Sequence, residues 1–190
     1  MADDYIELMW ATSNAAAYIH AEGAQTSPFS HPSNSGHHLH SGSGGCGMTT
    51  RRESILARIR TNLTGTTGVS TRIYRSRVEP LARGELPALV VEPINDTCQQ
   101  LTSTPTLDWT LTVRVAVIVR GDVPDQVADP IIESLHAKIM ADLTCNGFAY
   151  DVQPTGVSFD LMEADQPSGV ISCDFVVKYR TQVANLAQSP

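Results

Sequence analysis

The chain has 190 residues, 13 Lys+Arg against 20 Asp+Glu and a net charge of -7. That is the length of one ordinary domain with an appendage, and the wrong sign of charge for a protein whose main task is to neutralise nucleic-acid phosphates. No run approaches the ~18 apolar residues of a spanning helix, and Asp3, Asp4 and Glu7 stand where a secretory signal carries basic residues. The expectation is a soluble, cytoplasmically made protein with no membrane partner. Cys46, Cys98, Cys145 and Cys173 are scattered without a C-x-x-C pair. That spacing argues against a zinc module or a disulfide framework and points to free thiols.

Residues 1–47 differ from everything after them. Gly, Ser, His, Ala and Asn dominate, and the stretch from Ser27 to Gly45 reads as a flexible linker, so a disordered N-terminal arm is expected. A short helix between Asp4 and His20, with Tyr5, Leu8 and Met9 on one face, would be marginal alone. Met48 opens a self-contained domain covering residues 48–190, which leaves two readings of the arm. It is either a native extension or sequence upstream of an initiator at Met48. N-terminal mass spectrometry of the natural protein separates them, because a peptide spanning Tyr5 to His20 excludes the second.

The domain begins with Thr50-x-x-Glu53, a capping box in which the Thr hydroxyl takes the Glu53 amide and the Glu53 carboxylate reaches back to Thr50. Ile55, Leu56, Ile59 and Leu63 follow at helical spacing, with Arg51, Arg52, Arg58 and Arg60 opposite, and Gly65 or Gly68 as the stop. Thr71 to Tyr74 is a short strand. Leu86 to Pro93 is another, fenced by Pro87 and Pro93, which fit a strand's ends or an edge. Between them lies a loop carrying Arg75, Arg77 and Arg83.

From Leu107 to Val119 the chain alternates throughout, with Leu107, Trp109, Leu111, Val113, Val115, Val117 and Val119 on one face. The pattern predicts a half-buried central strand. Asp122 is placed to cap a second helix with Pro124 in its first turn. Its stripe is Val127, Ile131, Leu135, Ile139 and Leu143, widened by Ile132 and Met140. Strands at Gly156–Ala164 and Val170–Tyr179 close the domain, the latter directing Ile171, Cys173, Phe175, Val177 and Tyr179 at the core. Helix, two strands, long strand, helix and hairpin make an α+β fold, a mostly antiparallel sheet with two helices packed on one face.

Catalytic chemistry has few residues to use. There is no G-x-S-x-G, phosphate loop, H-E-x-x-H or dinucleotide fingerprint, so neither an enzyme nor a cofactor is expected. His20, His31, His37, His38 and His40 lie in the arm, where low-complexity sequence accounts for them better than a metal site does. His136 stands beside the Leu135 stripe as a boundary residue. Asp160, Glu163 and Asp165 fall near a hairpin tip, where solvated carboxylates are the rule. The most localised charge feature is Arg72, Arg75, Arg77 and Arg83, which reads as a solvated loop, a subunit interface built on the planar guanidinium fork, or a lining for passing DNA. Asp122, Asp125, Asp129 and Glu133 are the plausible partners across a subunit contact.

With the elements in this order, residues 51 to about 180 resemble the tail terminator family of long-tailed phages, typified by the minor tail protein U of lambda-like phages. The resemblance rests on Arg52-Glu-Ser-Ile-Leu-Ala-Arg-Ile, Gly-Glu-Leu-Pro-Ala-Leu-Val-Val at 84–91, Trp109 opening the long strand, Val-Pro-Asp at 123–125 and Phe-Val-Val-Lys-Tyr at 175–179. It implies a homo-oligomeric, hexameric ring at the head-proximal end of the virion tail, assembled in the host cytoplasm. Such a ring caps the tail tube protein, stops its polymerisation and docks to a head-completion or connector protein, with DNA passing through non-specifically. The arm has no counterpart in that family. A neck or tail-completion adaptor is the alternative, and a nucleic-acid-binding module a third reading. Within a ring, the candidate contact sets Arg75, Arg77 and Arg83 of one copy against Asp125, Asp129 and Glu133 of the next.

Overall fold

A computed structural model describes residues 49–101, 105–162 and 167–190. The expected arm and its helix, together with Cys46, Glu163 and Asp165, lie outside the described residues, as does the side chain of Arg83. The described elements are α1 (Arg51–Asn62), β1 (Ile73–Arg75), a 3-10 turn (Arg83–Glu85), β2 (Ala88–Gln99), β3 (Thr106–Arg120), α2 (Pro124–Met140), β4 (Asp151–Met162) and β5 (Ser168–Gln182). The strands form one five-stranded sheet in the order β1-β2-β3-β5-β4, antiparallel except for the parallel β1–β2 pair. The fold is α+β, as the element order predicts.

β3 occupies the middle because both of its neighbours run its length, β2 on one side and β5 on the other. Leu111, Val113, Val115, Val117 and Val119 are fully buried beneath the helices. Across the β3–β5 register they stand opposite Val177, Phe175, Cys173, Ile171 and Gly169. α1 lies over β1 and β2, and α2 over β3, β5 and β4, so both cover the same face. Burial of these aliphatic side chains, each worth about 1.5–3 kcal/mol, is the main stabilising term.

Several local expectations are corrected. β2 continues through Pro93 to Gln99, because a register shift between Pro93 and Asn95 accommodates the residue that cannot donate to the ladder. The strand is also interior, not an edge. Arg75 belongs to β1, outside the loop. α2 starts from Val123 with no side-chain cap, so Asp122 does not cap it. Its buried stripe is Pro124, Ala128, Ile131, Leu135 and Ile139, with Val127 exposed. A strict spacing of four overshoots the 3.6-residue turn, and the stripe drifts off the packed face within two turns. The helix stops at Met140, which leaves Leu143 exposed in the turn beyond it.

The capping box of α1 is half formed. The Glu53 amide donates to Thr50 Oγ1 at 3.3 Å, while the Glu53 carboxylate takes Arg75 instead of the Thr50 amide. The other end of the sheet is tied down by aromatics. Trp109 stacks on Tyr179 with ring centroids 6.0 Å apart, and its indole N–H donates to Thr181 Oγ1 at 2.9 Å. The Tyr179 hydroxyl donates to Asp96 at 2.7 Å, and Arg52 of α1 pairs with the same carboxylate at 3.3 Å.

The start of α2 packs against Gly169, where a Cβ atom would lie 3.0 Å from both Pro124 Cβ and Leu161 Cδ2. Gly169→Val is expected to lift the start of α2 and destabilise the domain by about 1–3 kcal/mol. Gly84→Ala, facing open space, should stay within about 0.5 kcal/mol. Urea midpoints at unchanged slope check both.

Candidate interaction edges of the sheet

A finite sheet ends in two strands whose outer N–H and C=O groups have no ladder partner, and such edges invite pairing with another chain. Among the described residues they are β1 and β4, at opposite ends of the strand order. The candidate arginines fall at the first and the candidate acids beside the second. The two sets are thus not brought together within one chain.

At the β1 edge the arginines are already engaged. Ile73 and Arg75 point to the helix side and Tyr74 to the other, following the alternation of the strand. Arg75 forms a two-pronged pair with Glu53 of α1, its Nη2 donating to Oε2 at 2.6 Å. Arg77 donates from Nη1 and Nη2 to the two oxygens of Glu85 at 2.9 and 3.1 Å and lies over the Tyr74 ring, 4.4 Å from its centroid. Tyr74 donates its hydroxyl to the same carboxylate at 3.0 Å, and the Ala82 amide does so at 2.8 Å. This cluster ties the loop back to β1. Arg72 donates to the carbonyls of Pro87 and Gly68. The forks expected to reach a neighbour therefore hold the loop to its own domain. Arg60, exposed on α1, makes no ion pair with a described residue, and Val78 projects from the loop with 94% of its surface in solvent.

The β4 edge is different in kind. Its register against β5 places Val157, Phe159 and Leu161 opposite Cys173, Ile171 and Gly169, on the helix side of the sheet. They lie beyond the cover of α2 and are 48%, 59% and 55% exposed. α2 turns one flank inward to α1 and the loop after it: Ser134 accepts from the Thr67 amide, and Lys138 donates to the Thr64 carbonyl. Its other flank, Ile132 and His136, forms with Pro154, Val157 and Phe175 the wall of an apolar pocket of about 180 Å³. Helical spacing sets Asp125 and Asp129 in line with that flank and Glu133 one turn beyond. All three are exposed and paired with no described residue. Asp125 gains from the helix N-terminus. The like-charged pairs at i, i+4 cost about 0.2–0.5 kcal/mol each with no local offset.

The exposed apolar row on β4 and the Val78 tip escaped sequence reasoning. Val157, Phe159 and Leu161 alternate like core residues, and nothing in the pattern reveals that α2 stops short of them. His136 is exposed, its ring 6.4 Å from that of Phe175, in keeping with a boundary position. Cys145 and Cys173 are buried free thiols and Cys98 an exposed one. Among the described residues no group of three His, Cys, Asp or Glu side chains could hold a metal ion, and no helix is long and apolar enough to cross a membrane. Fold and edges together define a two-layer α+β domain whose sheet has two dissimilar edges unpaired among the described residues. No family model and no curated protein matches the chain.

The Arg77 cluster makes a sharp titration prediction. Its guanidinium, then the Ala82 amide and the Tyr74 hydroxyl, pull Glu85 from an ordinary 4.5 down to about 2. A carboxylate lowered on folding stabilises the fold above its unfolded value and loses that contribution as pH falls from 4.5 towards 2. Arg77→Ala should move Glu85 back towards 4.5, read from carboxyl chemical shifts. A wild-type Glu85 that already titrates near 4.5 would mean the loop is not held this way.

Proposed function

We propose that the chain is a ring-forming structural subunit of a phage tail, the terminator that caps the tail tube, stops its polymerisation and offers the surface to which the head docks. The observation that carries this reading is the pair of unlike open edges at opposite ends of one sheet. A closed ring repeats a heterologous contact, in which one patch meets a different patch on the next copy, and the two patches must lie on opposite flanks of the subunit. Closure also removes the liability of open edges, since every edge then has a neighbour. The order of elements and the motifs at 52–59, 84–91, 109, 123–125 and 175–179 support the terminator family in particular. Function on this reading lies in assembly, with no bond made or broken by the protein.

The same geometry serves a neck adaptor, and the two readings differ in partner. Added to polymerising tube subunits, a terminator shortens the tubes in proportion to its concentration and is found at one end by electron microscopy. Unchanged tube length together with binding to a portal-side connector assigns the adaptor role instead.

A further inference from the structure

We propose that the apolar edge of β4, with the pocket between it and α2, receives the β1 edge of a second copy of this chain, with Val78 as the inserted side chain. The inference rests on the ring reading and names its contact.

Three observations converge on that occupant. The first is shape and polarity. The pocket is apolar, lined by Ile132, Leu135, Val157 and Phe175, and its 180 Å³ is below the roughly 300 Å³ at which drug-sized ligand sites begin. It suits one aliphatic side chain better than a metabolite. Val78, the most exposed large hydrophobic residue described, stands at the opposite edge of the same sheet. The second is backbone. From Gly156 to Met162 β4 pairs on one side with β5 and on the other with no described strand, and a strand added there continues the sheet. β1 and the residues after it provide a second open edge.

The third is charge, which selects between two ways of using the edge. Two β4 edges meeting about a twofold axis would bring Asp125, Asp129 and Glu133 of both copies together, with Asp160 on the strand itself, and like charges across an interface oppose association. The β1 edge lacks that handicap. Its Arg75 and Arg77 are neutralised by Glu53 and Glu85. Arg60, an exposed guanidinium with no ion pair to a described residue, borders the same groove as Val78 and Glu79, so the β1 edge presents both signs of charge to the acid row. The heterologous contact is thus the one that the charges permit, and it propagates head to tail.

The test uses the full chain with Cys46 and Cys98 replaced by serine and Cys173, which faces Val157 across the β4–β5 ladder, replaced by alanine, so that the one remaining native thiol is the buried Cys145. Val78→Cys copies and Val157→Cys copies are prepared separately. Under mild oxidation the mixture should give covalent dimers of unlike copies, and neither variant alone should do so. Phe159→Asp, a change at an exposed position, should leave the monomer's circular dichroism intact and weaken self-association at least tenfold by sedimentation. Several results overturn the proposal: Val157→Cys crosslinking to itself, which reports a twofold β4 pair; Phe159→Asp leaving association unchanged; or a wild-type chain that is monomeric at all concentrations. Tube length separates this failure from that of the ring-capping role. Shortened tubes without the crosslink leave termination standing and remove this contact, whereas the crosslink without shortened tubes does the reverse.

Discussion

The pairing of β3 with β5 is the constraint on which the rest of the domain depends. Fifteen residues of each strand are in register, and one face of that ribbon is apolar from Leu111 to Val119 and from Ile171 to Tyr179. A slip of one residue would turn that whole set to the opposite face and expose it. The register is therefore held by the core itself, and β2 and β4 inherit it on either side. The helices then have one place to go, because one face of the sheet offers a continuous apolar surface.

The polar interactions add order to that frame. Tyr179 and Arg52 meet on Asp96 and tie the first turn of α1 to the end of β5. Burial and the Asp96 carboxylate push the Tyr179 hydroxyl well above its ordinary range, so it stays protonated and donating. Asp142, in the turn after α2, accepts from the Asn146 amide and from Arg58 and Asn62 of α1, and is held at about 2. On the face opposite the helices, Arg114 grips Asp174 through two hydrogen bonds of 2.8 and 3.1 Å. These partly exposed pairs contribute modestly to stability. Their role is geometric: the Asp96 and Asp142 contacts fix a strand end and a turn, while the Arg114–Asp174 pair spans the middle of the β3–β5 ribbon.

Arg75 and Arg77 show that a local pattern does not reveal where a side chain's partners lie. Arg75 and Arg77 have the spacing and chemistry of a partner-binding fork, and the residues that satisfy them, Glu53 and Glu85, are 22 and 8 positions away. Glu53 was legible as half of a capping box, a local role, and the tertiary fold gives its carboxylate to Arg75. The acid row on α2 has no such partner among the described residues.

The sequence by itself determined the elements and their inward faces, because alternation in strands and a three-to-four repeat in helices are properties of neighbours along the chain. Thr50 as the helix cap, the central place of β3 and the inward set of β5 all followed from that. The tertiary structure decided what depends on where elements stop and what they meet: that Pro93 falls at a bulge inside β2, that Ala128 replaces Val127 under α2, and that Val157, Phe159 and Leu161 lie outside helical cover. It also decided that the basic and acidic candidates lie at opposite edges of one sheet. The physical reason is that strand order and helix reach are set by packing between residues far apart in sequence, about which a local pattern carries no information.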